Sequence, residues 1–242
     1  MYFWDSHLHL PVEDDLHWNG AGFAGGVICA TKYSEWQPVL DRCYRSGGTL
    51  RYALGIHPWY ISPDMQRERE LSILAEYLEQ LPECMVGEIG LDGTPGRPPL
   101  EAQIPWFAGQ LELAGRFQRV AVVHLVRCWQ PAIDILEDFS AIPVVIHGFH
   151  GSWQVAHRLL KFLNLQFSIG FDALNCGKNF REALEKIPQD RLLVESDWPF
   201  RKHSPAELPQ LIDFLARLRG EDPWDLAGVL AVNSQRAFNI EC

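Results

Sequence analysis

The 242-residue sequence has no Cys-x-x-Cys pair, no surplus of basic residues, no apolar run of membrane-spanning length and no glycine-rich phosphate loop. Each absence excludes something. The six cysteines, Cys29, Cys43, Cys84, Cys128, Cys176 and Cys242, are scattered. That spacing fits free thiols in a reducing compartment and neither a disulfide framework nor a zinc knuckle. Lys and Arg number 21 against 31 Asp and Glu, a formal charge of −10, so no broad basic face awaits duplex nucleic acid. A phosphate substrate stays open, provided bound cations supply positive charge locally. Nothing at the N-terminus indicates secretion, because no basic region precedes a long apolar run, and no segment is expected to enter a membrane. The expected location is cytoplasmic. Low-complexity tracts, solenoid-length repeats and linkers are also missing, so a single domain over residues 1–242 is expected.

What is present is a regular alternation. Short β-rich runs near residues 2–7, 25–30, 50–56, 84–89, 119–124, 142–147, 166–170 and 191–196 are separated by helical stretches. Amphipathic segments at Glu68–Leu81, Leu100–Phe117 and Glu207–Leu218 are examples. Val120–Val123 and Ile142–Ile146 are apolar on both faces, as central parallel strands are. Eight strand–helix units in one chain of this length predict the α/β class and a single (β/α)₈ TIM barrel. A doubly wound open sheet fits the alternation too, but its phosphate loop is missing after the first strand.

The polar residues gather at one end of the expected strands. Asp5, His7 and His9 occupy alternate positions of the first, and a strand points such positions to one face. Three polar groups buried there need partners. A wet edge strand with locally bonded histidines and a metal site both remain open from this run alone. Further along, the third strand ends at His57, the fourth at Glu88 and Asp92, and the fifth at His124 and Arg127. The sixth runs into His147 and His150, the eighth into Glu195, Asp197 and Pro199. Barrel enzymes collect their catalytic groups at the carboxyl ends of the strands, whereas scattered core histidines have no reason to share one end.

Four imidazoles and two carboxylates in one barrel mouth can hold two divalent cations, with Mg²⁺, Mn²⁺ and Zn²⁺ all compatible. A shared carboxylate can bridge ions about 3.5–4 Å apart, which activate water and offset charge on phosphate oxygens. The alternative for Glu88 is a buried ion pair with an Arg. For Asp197 it is a helix N-cap ahead of Trp198 and Pro199, since Pro suits a first turn. His17 and His157 read as surface or locally satisfied histidines. Arg201, Lys202 and His203 either steer a phosphate or form a solvated loop. Cys128 carries no sign of being a nucleophile.

These motifs resemble the TatD family of metal-dependent deoxyribonucleases, a branch of the amidohydrolase-like barrels. The family's opening Asp-x-His-x-His matches Asp5, His7 and His9, and its Gly-Glu-Ile-Gly-Leu-Asp matches residues 87–92 identically. Its His-x-x-Arg matches His124 and Arg127; its His-x-Phe-x-Gly matches His147, Phe149 and Gly151. Its Glu-Thr-Asp-x-Pro matches residues 195–199, with Ser196 in place of Thr. Gln103, Phe107 and the run Asn233–Phe238 are lesser points of agreement, so the match covers nearly the whole chain. The resemblance implies His7, His9, Glu88 and Asp197 around one metal, and Glu88, His124 and His147 around a second. Departures lie elsewhere: Trp59 replaces a second His, Gly93 and Thr94 precede a Pro-rich stretch instead of an aromatic pair, and Gly148 and His150 replace a Cys and a Ser or Thr. They alter the rim of the pocket and spare every implied ligand.

The reading that follows is a metal-dependent hydrolase of phosphodiester bonds acting on single-stranded or frayed DNA ends. In it Glu88 bridges two divalent metals, and Asp197 holds one metal and orients or deprotonates the water. His57, Arg127, His150 and Trp59 are candidate substrate contacts, with Trp59, Trp153 and Trp198 either stacking on bases or packing in the barrel. The rivals are hydrolysis of an ester or amide, including the aminoacyl ester of a tRNA, and a non-catalytic metal- or phosphate-binding protein.

Overall fold

The computed structural model describes residues 1–10 and 22–240; His17 and Cys242 lie outside the described residues. Eight parallel strands form one sheet whose order follows the chain. They are β1 (Phe3–Leu8), β2 (Phe23–Cys29), β3 (Leu50–Leu54), β4 (Met85–Asp92), β5 (Ala121–Val126), β6 (Val144–His147), β7 (Leu165–Ile169) and β8 (Leu192–Val194). Helices α1 (Tyr33–Arg45), α2 (Arg67–Gln80), α3 (Leu100–Phe117), α4 (Trp129–Asp138), α5 (Trp153–Leu159) and α6 (Lys178–Lys186) alternate with them, and α7 (Leu208–Arg219) and α8 (Pro223–Ala237) follow β8. This is the (β/α)₈ barrel topology. Among the described residues, no helix is long and apolar enough to cross a membrane.

The contacts group the chain into two compact units. The first comprises Met1–Val27, His147–Lys161 and Leu165–Cys242. Here β8 returns beside β1, and Ser6 Oγ donates to the Val194 carbonyl at 2.8 Å. The rings of Phe149 and Phe167 meet edge to face at 4.7 Å behind β7. Burying a side chain of that size contributes about 1.5–3 kcal/mol. Helix α8 fixes the start of β8, because Asn233 Nδ2 donates to the carbonyls of Gln189 and Leu192 at 2.8 and 2.9 Å. Asp222 caps α8 by accepting from the amides of Trp224 and Asp225, one residue ahead of Pro223 in the first turn.

The second unit comprises Ile28–Ile146 with Phe162–Asn164. Its core is the buried row Leu54, Val86, Ile89, Leu91, Val122 and Val123, backed by Phe107 and Leu111 of α3. Two glutamines of α3 clamp strand ends by pairing a donor and an acceptor with one backbone residue. Gln110 takes the amide of Ile56 at 2.7 Å and donates to its carbonyl at 3.1 Å. Gln103 does the same for Asp92, at 2.7 and 2.9 Å. Strand β4 runs three residues beyond its expected end because Gly90, Leu91 and Asp92 stay paired with His124, Leu125 and Val126. Between Val86 and Ile89 the register slips by one residue, so a bulge falls at Gly87 and Glu88. A bulge re-aims the side chain it carries, a device common beside active sites.

Candidate active site

In the first unit the end of β1 and the loop after β8 are tied together by backbone bonds. The Asp197 amide donates to the His7 carbonyl at 3.1 Å, and the His9 amide donates to the Trp198 carbonyl at 2.7 Å. Asp197 sits at φ +54, a conformation short polar residues tolerate. Its Oδ1 is 3.4 Å from His9 Nε2 and 4.0 Å from His7 Nε2, and the two imidazole nitrogens are 3.1 Å apart. Burial pushes the Asp197 carboxyl up, but the His9 hydrogen bond and the charges of His7, His147 and His9 outweigh it and bring it down to about 2. No helix begins at Asp197, so the cap reading fails. The chain there makes a turn closed by the Arg201 amide on the Asp197 carbonyl at 2.9 Å, and Ser204 caps the next helical turn. His9 lies one residue past β1, while Asp5 turns to Ser196.

His147 stacks on His7 with ring centroids 3.9 Å apart. Its Nδ1 is 3.3 Å from Glu195 Oε1. Glu195 also accepts from the Gly148 amide at 2.7 Å and from Ser168 Oγ, which is itself hydrogen-bonded with Ser6 Oγ. With Nδ1–H given to a carboxylate, Nε2 is the lone-pair nitrogen of the His147 ring.

In the second unit Glu88, His57 and His124 are all buried, and their ligand-type atoms lie within 4.8 Å of one another. Glu88 Oε1 is 3.1 Å from both His57 Nε2 and His124 Nδ1. Two histidines are thus partners of this buried carboxylate. His124 Nε2 faces Asp92 Oδ2 at 3.3 Å. Asp92 in turn accepts from Trp59 Nε1 at 2.5 Å and from the Thr94 amide at 2.8 Å. Burial pushes the Asp92 carboxyl up, but bonds from His124, Thr94 and Trp59 outweigh it and hold it well below the usual carboxylate range.

The two rings near Glu88 differ in what they offer. His57 Nδ1 accepts the Trp59 amide at 3.1 Å, so a neutral ring carries its proton on Nε2 and donates it toward Glu88. His124 has a carboxylate at each ring nitrogen, Asp92 at Nε2 and Glu88 at Nδ1; with Nε2–H given to Asp92, Nδ1 would be the nitrogen left for a cation shared with Glu88. A histidine whose second nitrogen is bonded to a carboxylate is the usual form of a metal ligand, because the carboxylate fixes tautomer and orientation. His124 with Asp92 and His147 with Glu195 both have that form. The donor set, imidazole with carboxylate, fits borderline divalent ions.

The remaining candidates are at the surface. Arg127, at φ +55 just past β5, is exposed. His150 is exposed, and its Nδ1 donates to the Gly148 carbonyl at 2.9 Å. Trp59 is partly exposed, with the Arg97 guanidinium 3.6 Å above its ring. His157 is exposed on α5 beside Trp153. Cys128 is buried, which pushes its thiol up to about 11 and leaves it inert at neutral pH. Sequence reasoning missed the supporting roles of Asp92, Glu195 and Ser168. A signal for Asp92 existed, since it shares parity with Glu88 in one strand. Glu195 had only its place two residues before Asp197.

A family model described as TatD related DNase matches residues 4–239. A protein of Rahnella named 3'-5' ssDNA/RNA exonuclease TatD is 32% identical over 242 residues, covering 91% of this chain and 89% of that one. The protein of the same name from Erwinia tasmaniensis is 28% identical, covering 91% and 90%. The crystal structure of YjjV, a TatD homologue from Escherichia coli K12, superposes with a TM-score of 0.89 at 27% identity, covering 99% and 98% of the two chains.

Proposed function

The chain belongs to the family of TatD-related DNases and is a metal-dependent hydrolase, and we propose that it cleaves phosphodiester bonds at single-stranded or frayed DNA ends. The observation that carries this reading is the pairing of His124 with Asp92 and of His147 with Glu195. Two imidazoles prepared as metal ligands make sense in a hydrolase that works through divalent ions. The proposed ligands of two such ions are His7, His9, Glu88, His124, His147 and Asp197. Bound there, Mg²⁺, Mn²⁺ or Zn²⁺ supplies Lewis acidity and lowers the pKa of water toward neutrality.

The chain's own groups do the rest. Asp197 orients the attacking water or takes up its proton as the water adds to phosphorus; the P–O bond to the departing nucleotide breaks, and its oxygen takes a proton from solvent. The Arg127 guanidinium is a donor for non-bridging phosphate oxygens, and His57 is a further proposed contact once its Nε2–H turns from Glu88 to the substrate. His150 and Trp59 are the further proposed contacts at the rim. The names of the relatives, single-stranded exonucleases, support a strand end as the substrate.

The test is a substrate panel with controlled metal. Protein stripped by a chelator and checked by elemental analysis is assayed on single-stranded DNA, blunt duplex, RNA, aminoacyl-tRNA and a small ester. It is then reloaded with Mg²⁺, Mn²⁺ or Zn²⁺ and assayed again. Restored cleavage of single-stranded DNA, above duplex, is the expected result. Full activity without metal, or turnover confined to esters, overturns the reading.

A further inference from the structure

The loops after β7 and β8 enclose a pocket of about 370 Å³ whose wall includes Asp197. That volume lies near the lower end of small-ligand sites, about 300–1,000 Å³. It suits one nucleotide unit and excludes a duplex. The wall mixes polar groups with rings, among them Phe171, Phe180, Phe200 and the imidazole of His203. His203 lies flat on Phe171 at 4.3 Å, and its Nδ1 bonds Glu207 Oε1 at 2.9 Å. Phe200 is different, because it is 55% exposed and its ring abuts the His9 ring at 4.6 Å and 76°. An aromatic face is thus held open to solvent against one of the histidines proposed to hold metal.

The charges in the wall are nearly all matched. Arg201 spans Asp172 and Asp197, at 3.2 and 3.3 Å. Glu195 is engaged by His147, Gly148 and Ser168. Lys202 is exposed and has no ion-pair partner among the described residues. Asn175, also exposed, adds an amide that can both donate and accept. A stacking face, an amide and one uncommitted cation match three features of a nucleotide: the base's π-face, its polar edge and the phosphate.

We propose that this pocket seats one unpaired nucleobase of the strand being cut, stacked on Phe200, with Asn175 at its polar edge and Lys202 on a flanking phosphate. The inference rests on the phosphodiesterase reading and adds what that reading lacks, a reason for single strands. In a duplex the base's faces and edge are already occupied, so only an unpaired base can enter.

The experiment compares wild-type protein, Phe200→Leu and Phe200→Tyr on a single-stranded oligonucleotide whose terminal nucleotide carries a base or is abasic. The readouts are the ratio of kcat/KM for the two ends and, in chelator, the ratio of the two Kd values by fluorescence anisotropy. Wild type should prefer the base-bearing end by about 5- to 150-fold, the worth of one stacked base. Phe200→Leu should bring the ratio close to 1, and Phe200→Tyr should keep most of it. Phe200 is exposed, so both variants should fold, and the wild-type ratio tests the pocket without them. A wild-type ratio of 1, or one that Phe200→Leu leaves unchanged, overturns the nucleobase pocket while cleavage itself leaves the phosphodiesterase reading standing. Wild-type protein that neither binds nor cleaves either oligonucleotide overturns both.

Discussion

Asp5 accepts the backbone amide of Ser196 at 3.0 Å and its hydroxyl at 2.5 Å, across 191 residues of chain. Both oxygens of this fully buried carboxyl are used, and one of them also takes the His7 amide at 3.2 Å. Burial pushes the Asp5 carboxyl up to about 7, against the Ser196 and His7 hydrogen bonds that favour its ionised form. Asp5 therefore holds the residue next to Asp197, and it does so from the same strand that carries His7.

Removing the hydroxyl should be costly. Ser196→Ala strands an oxygen of a buried carboxyl and should destabilise the protein by about 1–3 kcal/mol, read as a lowered urea midpoint. Ser196→Thr keeps the hydroxyl and should stay within about 1 kcal/mol. A Ser196→Ala protein as stable as wild type would show that the bond contributes nothing.

Asp197→Asn keeps the size of the side chain and loses its charge and basicity. Turnover under saturating metal should fall by about 10²–10⁴-fold, the usual worth of a positioned acid–base group. Oligonucleotide binding and the thermal midpoint should change far less. Near-normal single-turnover rates would remove Asp197 from the chemistry.

Asp92 should act through His124. Asp92→Asn can no longer hold the Nε2 proton as a charged acceptor, and metal affinity should drop by about 10–100-fold. Equilibrium dialysis followed by elemental analysis measures this directly, without recourse to activity. Unchanged affinity would mean that the ring needs no help in choosing its tautomer.

Gly90 faces the His124 backbone at φ +143, and a Cβ there would lie 2.0 Å from the His124 carbonyl oxygen. Gly90→Ala should therefore destabilise by about 3 kcal/mol or more. Gly96→Ala is the contrast: φ is +88 but the space is open, so about 1–2 kcal/mol is expected. Thermal melts of the two variants should separate clearly.

The acidic balance sets a limit on nucleic-acid affinity. With a formal charge of −10, few phosphate contacts are available. Each contact contributes about −0.7 to the logarithmic salt slope for a single strand, so the slope should be shallow. A steep slope, or equal rates on blunt duplex and single strand, would point to a basic surface outside the described contacts.

How much of this was legible in the sequence depends on the range of the forces involved. Helix α3 falls on its expected residues, 100–117, because Pro98 and Pro99 stop any earlier start and the apolar spacing is local. The strands come within a few residues of expectation for the same reason. The bulge at Gly87 and Glu88 was not legible, since it depends on what β5 places opposite. Tautomers were hidden as well: His57 and His124 look alike in sequence, and only the Trp59 amide and the Asp92 carboxylate tell them apart. Trp59 reads in sequence as either a base-stacking surface or barrel packing, and the sequence does not show that Arg97 lies over its ring or that Asp92 accepts from its indole nitrogen.

The bond between Asp5 and Ser196 also sets a clock on synthesis. A ribosome adds about 5–20 residues per second, so the 191 residues between the partners take about 10–40 s to make. During that interval Asp5, His7 and His9 have emerged, but the segment that locks them does not yet exist. Because the last strand must arrive before the first is fixed in this way, the end of β1 that carries His7 and His9 gains its link to Asp197 only when synthesis is nearly over.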